Sequence, residues 1–424
     1  MCSVKSSSVA APAAETSAQN SAFPAILDAR PTVLTAAKLF DGSHFLDHPV
    51  VAVEDGRIAS ISTRADGALP PNARVLDFPG ATLAPAFFDV HIHGAGGHDV
   101  MEATPEALDA VGRMLASHGT GSFLATTVTA PLDATLRAVE GLAKRIGEAA
   151  QRGPAREGVA RPIGIHLEGP FLSHAKRGVQ PAEHLLAPDI PIFDQLFDAA
   201  EGHVRLMTLA PELTGAVELT AHATRRGVRV SLGHSNATAA ETRAAIEAGA
   251  VSATHTFNAM RPLDHREPGI LGTVLTDEST YSELICDGIH VAPEIVRLWW
   301  RAKGAERAIL VTDAMSAAGM PDGEYRLGGF AVQVAGGRAM ANGVLAGSVL
   351  TLDRALANFM TITGAPADHA LRLLTANPAA MTGFGEEAGA VAVGRAANLV
   401  AVSAEGKLLA SFVSGATVQA PVAA

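Results

Sequence analysis

Eight short apolar runs along the middle of the chain, most of them closed by a polar side chain, constrain the fold more than any other feature. They are AFFDVHI near 86–92, GSFLATT at 121–127, PIGIHLE at 162–168, VRLMTLA at 204–210, VRVSLGH at 228–234, SATHTF at 252–257, SELICDG at 282–288 and AILVTDA at 308–314. Longer amphipathic stretches follow most of them, among them TPEALDAVGRMLASHG, with Thr104 placed to cap it, and ATAAETRAAIEAG. Runs of this length suit strands, and a helix-period stretch after each one carries the chain back to begin a parallel neighbour. Eight such units predict a (β/α)8 TIM barrel over residues 84–385. A doubly wound open sheet is the competing arrangement, but it needs a glycine-rich dinucleotide turn after its first strand, and HGAGGH has the wrong spacing.

The two ends of the chain have another texture. TVLTAAKLFDG, VVAVEDGRIASIS with a turn at Asp55-Gly56, and ARVLDFPGATLAP alternate like hairpin strands, and GAVAVGRAANLVAVSAEGKLLASFVSG repeats the pattern near the C-terminus. Residues 23–83 and 386–424 are therefore expected to complete one small β-sandwich domain, with the barrel inserted between them. Residues 1–22, rich in Ser, Ala, Thr and Gln, read as a disordered tail rather than a signal peptide. The segment EYRLGGFAVQVAGGRAMANGVLAG reads as strands and turns interrupting the last barrel connection. Trp299 and Trp300 fall in a helical pattern, where core packing or a subunit contact outranks ligand stacking.

Charge and cysteine usage narrow the function class. The net charge of -11 comes from dispersed acids without a Lys/Arg cluster, which argues against nucleic acid and membrane surfaces, so an anionic ligand must be held by local groups. No run is long and apolar enough to span a bilayer. Cys2 and Cys286 imply no disulfide framework, and a cytoplasmic protein is the expectation.

In such barrels the chemistry sits where strands end. Here those positions carry His91 and His93, Thr126 and Thr127, Glu168, Glu212 just past the fourth run, His234, His255, Asp287 with His290, and Asp313. In an extended segment alternate side chains share a face, so His91 and His93 can converge on one point. Glu168, His234 and His255 offer two imidazoles and a carboxylate, a set suited to a catalytic divalent ion with a position open for water. Asp313 would then move the water's proton to a leaving group. Such a set suits hydrolysis of a carbonyl or phosphoryl compound. The glycines of HGAGG read as a tight turn.

HIHG, GIHLEGPF, SLGHSNAT, THTFNAM, REPG, LVTDAM, LAGS and the closing NPA with VGRAANLVAV together resemble the amidohydrolase superfamily, and within it the branch that deacetylates N-acetylglucosamine 6-phosphate. The match runs over about residues 32–412. A dihydroorotase-like member would offer a lysine on the fourth strand, and VRLMTLAPE has none. The resemblance implies that Glu168, His234 and His255 hold the principal metal and that Asp313 is the acid/base. It implies that Asn258, Ala259, Arg266 and His290 hold the sugar phosphate, a guanidinium fork being matched to phosphate. It also favours a second ion on His91 and His93 sharing Glu168, as in the dinuclear branch, over a purely structural histidine pair. In KRGVQP, Gln180 stands where many relatives have a histidine near the acetyl carbonyl, with His174 and His184 nearby read as solvated. The implied cofactor is zinc, one or two ions per chain, with iron, manganese or cobalt accepted by the same donors. The implied assembly is a homodimer, and the strand-and-turn segment borders the substrate pocket. A hydrolase for another N-acylated compound, such as an N-acyl amino acid or an N-acetylgalactosamine phosphate, stays open, as does a non-catalytic binding protein on the same scaffold.

Overall fold

Eight strands lie side by side in chain order and all run parallel: Phe87–Ile92, Thr120–Thr127, Arg161–Glu168, Val204–Leu209, Arg229–Leu232, Ala250–Ala253, Tyr281–Ile285 and Ala308–Val311. The computed structural model describes residues 31–66, 69, 72–152 and 158–418; the expected tail, 1–22, and Cys2 lie outside the described residues. The first and eighth strands meet through the Asp313 N–H donating to His91 O at 2.9 Å, the His93 N–H donating to Ala314 O at 2.8 Å, and an Ile92–Ala314 bridge. The (β/α)8 barrel expected from the eight apolar runs is present, and its closing seam runs past His91, His93 and Asp313.

Helices pack outside the sheet for reasons the sequence carries. Thr104 caps Pro105–Ser117 by accepting from the Ala107 N–H, and Thr238 and Glu241 form a reciprocal capping box on Ala239–Glu247. Trp299, on the helix Pro293–Arg307, is fully buried and donates its indole N–H to Ser282 Oγ at 2.7 Å, which is a core role. Among the described residues no helix is long and apolar enough to cross a membrane. Cys286 is a free, buried thiol.

The chain ends build a second sheet. Thr32–Phe40 pairs with Pro49–Glu54 and, in parallel, with Arg74–Pro85; Leu399–Val402 then pairs antiparallel with Arg74–Pro85 and continues into Leu408–Val413 and Ala416–Val418. Leu34, Leu39, Val51, Leu83, Leu399 and Phe412 pack together beneath it. Asp55 and Gly56 turn the hairpin between Pro49–Glu54 and Arg57–Thr63 with φ of 48° and 75°, the left-handed pair that a tight two-residue turn requires. The segment after the eighth barrel strand forms a separate four-stranded antiparallel sheet from Gly323 to Leu345.

Several barrel strands stop before their polar ends. The runs expected to reach 234, 257 and 314 finish at Leu232, Ala253 and Val311, so His234, His255 and Asp313 sit in loops. Their φ values are 46°, 29° and 50°. A left-handed backbone at a non-glycine residue costs about 1–3 kcal/mol and persists where surrounding structure imposes it, commonly at functional sites.

Candidate active site and metal centre

At the C-terminal mouth of the barrel, Glu168 is the hub. Its Oε1 lies 3.2 Å from His234 Nε2 and 3.1 Å from His255 Nε2, and those two nitrogens are 3.1 Å apart. The same oxygen is 3.4 Å from His91 Nε2, and Glu168 Oε2 is 3.5 Å from His93 Nε2. Asp313 Oδ1 approaches His93 Nε2 at 3.2 Å and His91 Nε2 at 3.6 Å. Two trios therefore converge, Glu168 with His234 and His255, and His91 with His93 and Asp313. Exposure rises from 0% at His91 to 9% at Asp313, so the aspartate faces the opening.

The imidazoles are oriented from behind. His234 Nδ1 donates to Lys176 O at 3.0 Å, His93 Nδ1 donates to Thr126 O at 3.1 Å, and His91 Nδ1 faces Glu283 Oε2 at 3.3 Å. A carbonyl accepts only, so the proton of a neutral ring goes to Nδ1 and Nε2 keeps its lone pair toward the centre. Holding the outer nitrogen in this way is how proteins orient metal-ligating histidines. A tetrahedral ion with bonds of about 2.0–2.1 Å separates neighbouring ligand atoms by about 3.3 Å. The Glu168, His234 and His255 triangle, with edges of 3.1–3.2 Å, has that size. His91 Nε2 is fully buried with no hydrogen-bond partner among the described residues, a lone pair suited to a cation. The residues fit a divalent metal.

The electrostatics agree. Burial opposes charge on His91 and His93, yet the Glu168 and Asp313 carboxylates outweigh it and raise both imidazoles above the ordinary histidine range. Burial likewise opposes ionisation of Glu168 and Asp313, but the surrounding histidines hold both carboxyls below their usual range. The centre attracts positive charge.

The other expected residues have the following surroundings. Gln180 is buried and held at both ends of its amide: Nε2 donates to Glu168 Oε2 at 2.7 Å, and Oε1 accepts from the Thr129 N–H at 2.9 Å. Asn258 donates its side-chain amide to His255 O at 3.2 Å, and Ala259, at φ 50°, accepts from the Ser235 N–H. His290 Nδ1 lies 2.7 Å from Asp287 Oδ2, with both side chains largely buried. Arg266 stands on an exposed loop, its backbone N–H bonded to Asp264, and its guanidinium makes no hydrogen bond or ion pair among the described residues. His174 is exposed. Glu212 braces the loop after His234 by accepting from Ser235 Oγ at 2.8 Å and the Asn236 N–H at 2.6 Å. HGAGG makes a small hairpin with Gly96 and Gly97 at φ 60° and 89°.

Sequence reasoning passed over three buried groups. Glu283 lies behind His91, and its Oε2 also accepts from the His255 N–H at 3.3 Å. Asp89 accepts from Thr312 Oγ1 at 2.5 Å, and burial pushes its carboxyl up to about 7. His166 Nε2 meets Thr208 Oγ1 at 2.8 Å and its ring packs edge-on to His91; burial, then the charge of His91, lowers it well below the ordinary histidine range. The available signal was a charged or basic residue inside an otherwise apolar run, as in SELICDG and GIHLE.

Comparison with known proteins adds to this geometry. The amidohydrolase family model matches residues 82–422. The chain is 40% identical to the N-acetylgalactosamine-6-phosphate deacetylase of Escherichia coli O157:H7, over 87% of this chain and 94% of that one. It is 36% identical to the N-acetylglucosamine-6-phosphate deacetylase of Bacillus subtilis strain 168, over 86% of this chain and 91% of that one. A mutant N-acetyl-D-glucosamine-6-phosphate deacetylase from Mycobacterium smegmatis, solved in complex with N-acetyl-D-glucosamine-6-phosphate, superposes with a TM-score of 0.83 at 35% identity, covering 92% of this chain and 99% of that one. The chain belongs to the amidohydrolase family, in the group that contains these amino-sugar phosphate deacetylases.

Proposed function

We propose that this chain hydrolyses the acetamide of N-acetylglucosamine 6-phosphate to glucosamine 6-phosphate and acetate. The observation that carries this reading is the convergence of four imidazole Nε2 atoms and two carboxylates at the mouth of a barrel. Glu168, His234 and His255 would hold the principal divalent ion, with His91, His93 and Asp313 offering a second position that shares Glu168. A divalent ion held there would supply Lewis acidity for the acetyl carbonyl and lower the pKa of water so that hydroxide is available near neutral pH.

The chain's own groups do the rest. Asp313, the most exposed member of the cluster, accepts a proton from the attacking water and passes it to the amide nitrogen as the C–N bond breaks, so the amine leaves neutral. Arg266, unpaired among the described residues, supplies a fork for the 6-phosphate, and Asn258, Ala259 and His290 hold the remaining oxygens. Gln180 is committed at both ends of its amide, so it acts through Glu168 and reaches the acetyl carbonyl only by giving up that bond. We assign zinc to the site, a homodimer to the assembly and the cytoplasm as its place, and we set the domain boundaries at 84 and 385.

The relative at 40% identity favours a second reading, in which the galactosamine epimer is the substrate. Acetate release from N-acetylglucosamine 6-phosphate, its 4-epimer and the unphosphorylated sugar, run beside elemental analysis of the purified protein, separates these. Equal turnover with and without phosphate would overturn the sugar-phosphate reading, and faster turnover of the epimer would replace glucosamine by galactosamine.

A further inference from the structure

Three of the four site imidazoles are held at Nδ1, but not by equivalent partners. His93 and His234 lean on backbone carbonyls, whereas His91 leans on a carboxylate, Glu283 Oε2 at 3.3 Å. Glu283 is fully buried, has no Lys or Arg partner among the described residues, and leaves Oε1 with no hydrogen-bond partner there. A buried carboxylate in this state is costly unless positive charge lies close by. Among the described residues its carboxylate has two hydrogen-bond partners, the His91 ring and the His255 N–H. Among the described residues, the ring that links it at one remove to a cation at the centre is therefore His91, whose Nε2 points at Glu168 and Asp313.

We propose that Glu283 is a positioning residue for a second divalent ion: it fixes His91 with Nδ1 protonated and Nε2 bare, and it supplies the countercharge that makes occupancy of the His91, His93 and Asp313 trio favourable. This rests on the two-ion reading given above. A charge count supports it. Three carboxylates, Glu168, Asp313 and Glu283, face the site histidines. One divalent ion offsets only two of those three charges, so a second ion beside His91 and His93 is electrostatically favoured. The principal ion depends on Glu283 only through the His255 N–H, and the carbonyl oxygen of a glutamine at this position accepts that bond equally well.

The test follows ion loss from the full-length, as-purified protein under graded chelator, with zinc content read by elemental analysis. The wild type should lose two ions in two steps, and a His91→Ala, His93→Ala variant should lack the weaker step, which assigns it. Glu283→Gln should move the weaker step to roughly 10–100-fold lower chelator while leaving the tighter step in place, the size expected when a partner behind a ligating histidine is removed. Glu283→Asp, which keeps the charge at a longer reach, should recover part of that loss and carries the test if Glu283→Gln does not fold. A wild type with two steps that Glu283→Gln leaves unmoved, or moves equally, overturns the role of Glu283 alone. A wild type with a single step overturns the two-ion reading and this proposal with it.

Discussion

His234 Nε2 and His255 Nε2 stand 3.1 Å apart in loops that follow neighbouring strands, and both approach Glu168 Oε1 within 3.2 Å. His234 Nδ1 donates to Lys176 O and so leaves its Nε2 bare, and a cation shared with His255 Nε2 and Glu168 Oε1 would stabilise this close approach. Removing metal with a chelator should therefore lower the melting temperature, and zinc should restore it. At metal a thousandfold above its dissociation constant the stabilisation is about 4 kcal/mol. A melting temperature indifferent to chelator, or one that shifts equally in a His234→Ala, His255→Ala variant, would remove the metal from the folded state's support.

Asp313→Asn keeps the shape and removes the carboxylate proposed to accept the proton. Turnover should fall by about 10²–10⁴-fold with the tighter ion retained, because Asp313 lies outside the Glu168, His234 and His255 trio. Acetate release and zinc content measured on one preparation decide it; near-native turnover would strip Asp313 of its acid/base role.

Arg266→Ala should raise KM for the phosphorylated sugar by roughly 10–100-fold, the loss of one charge-assisted fork, and leave the slow reaction with the unphosphorylated sugar unchanged. An equal fall for both substrates would mean the arginine supports the loop instead of the phosphate.

Glu212→Ala leaves Ser235 Oγ and the Asn236 N–H without their acceptor directly after a histidine held at φ 46°. Stability should drop by about 1–3 kcal/mol in urea titrations, with weaker retention of the tighter ion. Unchanged stability would make this brace dispensable.

Lys303 donates to Val274 O at 2.9 Å and Asp277 O at 2.7 Å, and burial, against the pull of Asp277, lowers its ammonium from 10.5 to about 8. Between those two values the folded protein has shed a proton that the unfolded chain keeps, so this group's contribution to stability rises with pH and is lost as pH falls through 8. The stability of wild type relative to Lys303→Met should rise from pH 7.5 to pH 10 by on the order of 1–2 kcal/mol, after solvent screening is allowed for. A gap constant with pH would contradict the lowered ammonium.

The barrel was legible because its signal is periodic: an apolar run and then an amphipathic one, eight times over, leaves few alternatives. The strand ends were less so. His234, His255 and Asp313 read as the last residues of strands, but each sits in a left-handed loop position, and nothing in the local sequence marks a non-glycine residue for that conformation. Glu283 was missed for a related reason. It lies inside a strand run whose visible polar residues are Asp287 and His290, so attention goes to the end of SELICDG and not to its middle. Gln180 was readable as a departure from a pattern, but its bond to Glu168 belongs to three dimensions alone.

The sheet built from both chain ends has a consequence for how the protein is made. Arg74–Pro85 leaves the ribosome early, yet its antiparallel neighbour, Leu399–Val402, is encoded some three hundred residues later. At about 5–20 residues per second that delay is roughly 15–60 s. Throughout it the nascent chain carries an open strand edge able to pair with another chain. Expression yield should therefore depend on how fast translation passes the barrel, and slowing it with rare codons there should increase aggregation without altering a single contact in the finished molecule.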